Sequence, residues 1–318
     1  MQISIRREYN YSDVYLLPKK TIVNSRSECN TSVVFGGRRF AAPVVASNMR
    51  TVVSEKTCEY LAKNDFFYIY HRFDIDVVKF IHNMKSKGYY SSISMGVNED
   101  SYAQLKEIKE AKLDIDYCCL DVANGFCIKS ERFIKYFKDN FPTSYLIAGN
   151  VCTQEGVTFL ENIGADSVKV GLSNGSVCDT FKATGVGRPQ LSTDLECCLV
   201  ATKPIISDGG ASTVGCIVKS LVAGSTMKMI GSMAAGWEES AGEILDIDGH
   251  LKKVYYGSAS KENKNGKHIH VEGRQTYLDY KGSMDILLYD IKAGISSAIS
   301  YAGGKDLSAL LTMEMVSR

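Results

Sequence analysis

The sequence predicts an α/β fold, a (β/α)8 TIM barrel formed by a single domain over residues 1–318, and three observations carry that reading. Eight short β-rich runs recur, each apolar on both faces, as parallel strands covered by helices are. Amphipathic stretches at helical spacing separate them. Polar and glycine residues collect at one end of every run, as they do at the C-terminal mouth of a barrel. A doubly wound open sheet is the alternative, but near-even units over 318 residues favour closure.

The predicted strands cover residues 43–49, 67–71, 91–97, 117–122, 144–151, 167–172, 204–208 and 226–231. Between them, Val77, Phe80, Ile81 and Met84 share one helical face, as do Ile217, Val218, Leu221 and Val222. The chain before residue 43 is expected to cap the opposite end of the barrel. From about 246 to 282 the alternation breaks, and the stretch 261–267 is charged and without periodicity, which predicts a mobile surface flap before the last helix. That helix is expected over 284–301, stopped by Gly303 and Gly304.

Composition narrows the function classes. A net charge of +1 gives no argument for nucleic acid, and no apolar run suits a membrane span or a secretory signal. The ten cysteines are scattered, with Cys118–Cys119 and Cys197–Cys198 adjacent, which is neither a disulfide framework nor a metal knuckle. A reducing, cytoplasmic compartment is expected.

The mouth residues carry the candidate chemistry. Cys178 follows a glycine-containing loop at the end of strand six, beside Ser176 and Thr180. A thiol there is either a nucleophile close to backbone N–H groups or an inert small hydrophobe, and pattern alone leaves both open. Asp208, Gly209 and Gly210 end strand seven, and Gly231 and Ser232 end strand eight. Loops after those strands often hold a phosphate, with Ser176 as a further donor; otherwise the glycines only make tight turns. His71 reads as a hydrogen-bonded structural histidine rather than a ligand or base. His268 and His270 have metal-compatible spacing but no carboxylate partner, which argues against a site. Asp121 points a carboxylate at the mouth, where a cofactor amide or ribose would suit it. Glu272 lies where the flap returns, and from its position alone is a solvated surface side chain.

The run from Lys169 to Gln190 resembles the active-site loop of the IMP dehydrogenase/GMP reductase family. Residues 120–125, 148–150, 206–210, 297–304, 24–28 and 272–274 match the same family in order, so the resemblance covers nearly the whole chain. It implies covalent attack by Cys178 on purine C2 of a nucleotide. Two absences point to the reductase side: the connection from about Arg72 to Ser91 has no room for an inserted regulatory domain, and no Arg-Tyr pair is present to activate water. The expected activity is therefore reduction of GMP to IMP and ammonia with NADPH. The alternative is a short dehydrogenase oxidising IMP with NAD, and a nucleotide sensor without catalysis is disfavoured by the thiol.

By resemblance, Cys178 is the nucleophile, and Thr180 and Glu272 relay the proton to the departing amine. Ser176, Gly209, Gly210, Gly231, Ser232 and Tyr256 are implied at the phosphate, Asp208 at the ribose, and Gly257, Ser258, Ala259 and Gly273 elsewhere along the substrate. Asp121, Val122, Ala123, Asn124, Leu172, Ser173 and Arg72 are implied at the cofactor, with Arg72 standing where many relatives carry lysine. Ser25 and Arg26 are implied at its adenosine end, by way of a neighbouring subunit of a homotetramer. A K+ ion held by backbone carbonyls of Ser173, Gly175 and Cys178 is also implied, although Ser173 and Asn174 replace the usual glycine and proline.

Overall fold

The structure is a computed structural model that describes residues 5–264 and 271–318. Eight strands form one parallel sheet: β1 (Val44–Ala46), β2 (Phe67–Tyr68), β3 (Ser92–Met95), β4 (Tyr117–Asp121), β5 (Tyr145–Val151), β6 (Ser167–Val170), β7 (Ile205–Asp208) and β8 (Met227–Ile230). Each pairs with its sequence neighbours and β8 pairs with β1. The bridge between Tyr70 and Ile93 joins β2 to β3, completing the ring. The (β/α)8 barrel read from the sequence is the fold.

The covering helices are α1 (Glu55–Lys63), α2 (Val77–Ser86), α3 (Glu99–Glu110), α4 (Ile128–Asn140), α5 (Gln154–Asn162), α6 (Gln190–Val200), α7 (Val214–Val222) and α8 (Asp285–Tyr301). Local sequence starts several of them. Ser54, Asp76, Thr153 and Thr213 each accept a hydrogen bond from a backbone N–H in the first turn, contributing about 1 kcal/mol apiece. The expected apolar faces are buried: Val77, Phe80, Ile81 and Met84 on α2, and Ile217, Val218 and Leu221 on α7, where Val222 is half-buried.

Three expectations need correcting. The second strand is shorter than 67–71, because His71 leaves the ladder and its Nδ1 accepts from the Phe73 N–H at 3.2 Å. Only part of the chain before residue 43 caps the barrel. The hairpin Val33–Phe35/Arg38–Phe40 does so, seating Phe35 and Phe40 among Phe67, Tyr90, Tyr117 and Tyr145. These rings pack at centroid distances of 4.9–6.4 Å, inside the range where aromatic pairs add to burial. The earlier chain instead runs along the outside, where Val14–Leu17 pairs antiparallel with Glu314–Ser317.

The flap region is the third. Residues 246–282 are not one irregular excursion: Ile244–Ile247, His250–Tyr256 and Gln275–Asp279 form a three-stranded antiparallel sheet. Its first hairpin turns at Asp248 and Gly249, both with positive φ (52° and 78°), as a two-residue turn of that hand requires. The Asp-Gly pair was the available signal. His268 and His270 lie outside the described residues.

Candidate active site

Gly171 begins the nucleophile loop, and nothing larger fits: a Cβ there would lie 1.9 Å from the carbonyl oxygen of Asp208. The chain then turns at Ser173, which holds the left-handed conformation (φ 70°) with its hydroxyl donating to the Val186 carbonyl at 2.7 Å. Gly175 O accepts from the Cys178 N–H at 3.0 Å, a tight turn that presents the half-buried thiol at the mouth. Cys178 Sγ donates to Thr180 Oγ1 at 3.3 Å. Thr180 opens the short helix Thr180–Thr184.

The returning flap is strapped to this loop. Asp179 N–H donates to the Glu272 carbonyl at 2.8 Å, Arg274 N–H to Val177 O at 3.0 Å, and Cys178 bridges Gly273. The Arg274 guanidinium pairs with Asp179 and donates to Ser176 O at 2.8 Å. Glu272 is thus brought beside Cys178 and Thr180 from about 90 residues away, which its sequence position alone did not show. Arg274, the clamp itself, was missed; its partner is visible only once the flap has folded.

Beside the loop, the mouth holds four coupled polar groups. Lys169, on β6 and 2% exposed, donates to Asp121 at 2.8 Å, Asn150 Oδ1 at 2.5 Å and Asp208 at 3.0 Å. Asn150 Nδ2 also donates to Asp208 at 2.9 Å. Burial works against the Lys169 charge, but Asp121 and Asp208 outweigh it and hold the ammonium above the usual lysine range. Burial likewise opposes the Asp121 charge, yet Lys169 and Arg72 hold its carboxyl below the usual carboxylate range. Asp121 is therefore an anionic acceptor, and the two carboxylates together are suited to hydroxyls or amides. Lys169 was overlooked; its signal is a lysine inside an otherwise apolar strand.

The loops after β7 and β8 lie next to the nucleophile loop. Gly210 N–H donates to Asn174 O at 2.9 Å, so the glycines serve the turn and the close approach of the two loops. Gly231 precedes the short helix Ser232–Ala235. A Cβ on Gly231 would lie 2.8 Å from the Tyr255 hydroxyl, and burial pushes that hydroxyl up to about 12 while Ser176 stands beside it. Tyr255, buried, faces this cradle, whereas Tyr256 on the alternate face of the strand is half-buried. The sequence reading names Tyr256 and does not single out Tyr255. Gly257 is buried against Val177, and Ser258 and Ala259 continue the same wall, with Ala259 O accepting from the Glu272 N–H at 3.1 Å.

On the opposite rim, Val122 is half-buried and Ala123 and Asn124 are exposed. Arg72 stacks on Phe73 at 4.9 Å, and its Nε is a buried donor with no partner among the described residues. An unpaired donor beside an anionic Asp121 fits a planar ligand carrying both a carbonyl and an amide, as a nicotinamide does. Leu172 and Ser173, on the nucleophile loop, are both half-buried. Ser25 and Arg26 are elsewhere: Arg26 donates to Ser297 on α8 at 2.9 Å. Ser297 lies roughly 18 Å along that helix from its start at Asp285. His71 is buried, and burial with Arg50 nearby lowers it to about 4, so it is a neutral structural residue at neutral pH. Among the described residues no cluster of His, Cys, Asp and Glu is arranged to hold a metal ion.

The geometry is that of a thiol with a hydroxyl and a carboxylate-bearing flap at hand, between the glycine loops after β7 and β8 and a charged slot. The model of the IMP dehydrogenase / GMP reductase domain matches residues 8–318. A protein named GMP reductase from Chromobacterium violaceum is 50% identical over 312 residues, 98% of this chain and 98% of that one. Others of that name from Albidiferax ferrireducens (47%) and Staphylococcus carnosus (46%) align over 97% of this chain and 95% of their own. The chain belongs to the IMP dehydrogenase / GMP reductase family.

Proposed function

We propose that the protein is a GMP reductase, converting GMP to IMP and ammonia with NADPH through a covalent bond between Cys178 and purine C2. The observation that carries this reading is the Cys178–Thr180 contact at 3.3 Å, with the Glu272 backbone strapped onto Asp179 at 2.8 Å, in a chain up to 50% identical to proteins named GMP reductase.

In the proposed course, the GMP phosphate rests in the cradle of Ser176, Gly209, Gly210, Gly231, Ser232 and Tyr256, with Tyr255 added from the buried face. Asp208, paired with Lys169 at 3.0 Å, accepts from the ribose hydroxyls. The Cys178 thiolate donates its electron pair to C2, forming a C–S bond. The exocyclic amine leaves as ammonia once protonated, and Thr180 with Glu272 provides the proton path. Gly257, Ser258, Ala259 and Gly273 wall the base. The cofactor, when bound, supplies a hydride to C2. Cys178 then departs with the C–S electron pair and IMP is released. Asp121, Val122, Ala123, Asn124, Leu172, Ser173 and Arg72 hold the nicotinamide end, supported by the unpaired Arg72 Nε.

The finer assignments belong to the same proposal. K+ is held by the carbonyls of Ser173, Gly175 and Cys178; the support is that Ser173 keeps a glycine-like φ of 70°, so the backbone path survives the substitution. Ser25 and Arg26 serve the cofactor of a neighbouring copy in a homotetramer; the support is that Arg26 rests against Ser297, far along α8 from the mouth of its own barrel. The single-domain enzyme works in the cytoplasm, which suits ten free cysteines.

The test is to incubate the purified protein with GMP and NADPH. The proposal requires NADPH loss matched by IMP and ammonia. NADH formation from IMP and NAD, with no reaction of GMP, would overturn it in favour of the dehydrogenase.

A further inference from the structure

Behind the nucleophile loop, outside the sheet, lies a second set of fully buried polar groups that the proposed chemistry does not use. Lys228 on β8, Ser207 on β7, and Gln190 and Asp194 on α6 are each 0% exposed, and Tyr11 is 3% exposed. Lys228 and Asp194 form no direct ion pair among the described residues. Two hydroxyls join them instead. Lys228 Nζ donates to Tyr11 Oη and Ser207 Oγ, each at 2.7 Å. Those hydroxyls donate onward to Asp194, Tyr11 at 2.5 Å and Ser207 at 2.6 Å. The third Lys228 proton goes to the Gly209 carbonyl at 2.5 Å, so every donor on the ammonium is used.

The chain of bonds continues to the nucleophile loop. Gln190 Nε2 donates to Asp194 at 2.9 Å, and Gln190 Oε1 accepts from Asn174 Nδ2 at 2.8 Å. The same Asn174 amide donates to Arg188 O at 2.7 Å and Leu172 O at 3.1 Å. Finally, Gly210 N–H donates to Asn174 O at 2.9 Å. The path from Gly209 through Lys228, Tyr11 or Ser207, Asp194 and Gln190 to Asn174 therefore returns to the residue after its start.

We propose that this closed circuit is a positioning device, in which Lys228 and Asp194 set the spacing between the glycine loop that takes the GMP phosphate and the loop that carries Cys178. The proposal rests on the GMP reductase reading above. A nucleotide anchored by its phosphate reaches the thiol with C2 only if the two loops keep one separation, and misplacement by about 1 Å costs on the order of 100-fold in rate. Neither residue touches substrate; both act through Gly209 and Asn174. The charges sit where two well-packed apolar side chains would serve the fold as well. They differ from such side chains in reaching both loops through directional bonds.

The test is the double variant Lys228→Met/Asp194→Leu, which removes both charges together and leaves neither unpaired. Active sites are counted by titrating Cys178 with a thiol reagent, and GMP affinity is measured by calorimetry. The expected result is kcat per titrated site lowered about ten-fold or more, with GMP affinity within about three-fold of the parent. Tyr11→Phe, which leaves the Ser207 link in place, is expected to lower kcat roughly two- to five-fold with the same split, and decides the matter should the double variant not fold. A kcat within two-fold of the parent in the folded variants, or affinity and kcat falling together, would overturn the proposal. A parent enzyme inert toward GMP and NADPH would overturn the functional reading and this proposal with it. An active parent with an unaffected variant overturns this proposal alone.

Discussion

Two lysines buried in neighbouring parts of the same sheet differ in nearly everything but burial. Lys169 points into the barrel and pairs directly with Asp121 and Asp208 at 2.8 and 3.0 Å. Lys228 points outward, toward α6 and the N-terminal segment, and meets its carboxylate only through Tyr11 and Ser207. Strand register explains the split: Lys169 lies opposite Ile206 and Lys228 opposite Ser207, adjacent positions on β7 that face opposite sides. Burial opposes both charges, but its net result differs, raising the ammonium of Lys169 through two contacting anions and leaving that of Lys228 lowered to about 8. An inward charge is in reach of a ligand and orders the acceptors that meet it. An outward charge is sealed by helices and reaches the loops only through buried hydroxyls and backbone.

Substitution should separate the two roles. Lys169→Met leaves Asp121 and Asp208 without their common cation, so a stability loss of about 4 kcal/mol is expected in urea titrations. The same variant should lose roughly 100-fold or more in kcat/KM for GMP, because both acceptors at the mouth lose their orientation. Lys228→Met is expected to cost less, about 2 kcal/mol, since Asp194 keeps donors from Tyr11, Ser207 and Gln190. Equal losses for the two would erase the distinction between direct and hydroxyl-bridged pairing.

A smaller effect should appear at His71, another buried basic residue. Its folded pKa, lowered to about 4 first by burial and then by Arg50, lies below the ordinary 6.5. The unfolded chain therefore takes up a proton as pH falls below 6.5 while the folded chain does not, and stability drains away between 6.5 and 4. Going from pH 7 to pH 5, the parent should lose roughly 1–2 kcal/mol more than His71→Gln, read as the difference in their urea midpoints. Identical pH slopes would mean that His71 is not held neutral.

The same comparison shows what was legible in the amino-acid sequence. Strand periodicity made the barrel plain, because runs such as 144–151 and 204–208 are apolar on both faces. The thiol loop was legible too, since Gly171 and Cys178 mark a turn and its chemistry. Both lysines were in view as breaks in apolar strands, but which way each points depends on register, which one strand does not specify. Asp248 and Gly249 marked a hairpin that the surrounding charge obscured. Arg274 with Asp179, and Tyr11 with Asp194, join residues far apart in the chain, and no local pattern announces such pairs. Tyr255 and Tyr256 differ only by strand alternation, so which of them is buried beside Gly231 required the sheet.

The central claim is that the chemistry passes through the Cys178 thiol. The most direct test is Cys178→Ala, assayed with GMP and NADPH alongside calorimetric binding of GMP. The account predicts turnover reduced by about 10⁴-fold or more, with GMP affinity changed by no more than a few-fold, because the cradle and Asp208 remain. NADPH oxidation persisting at more than about a hundredth of the parent rate, with GMP bound, would contradict it.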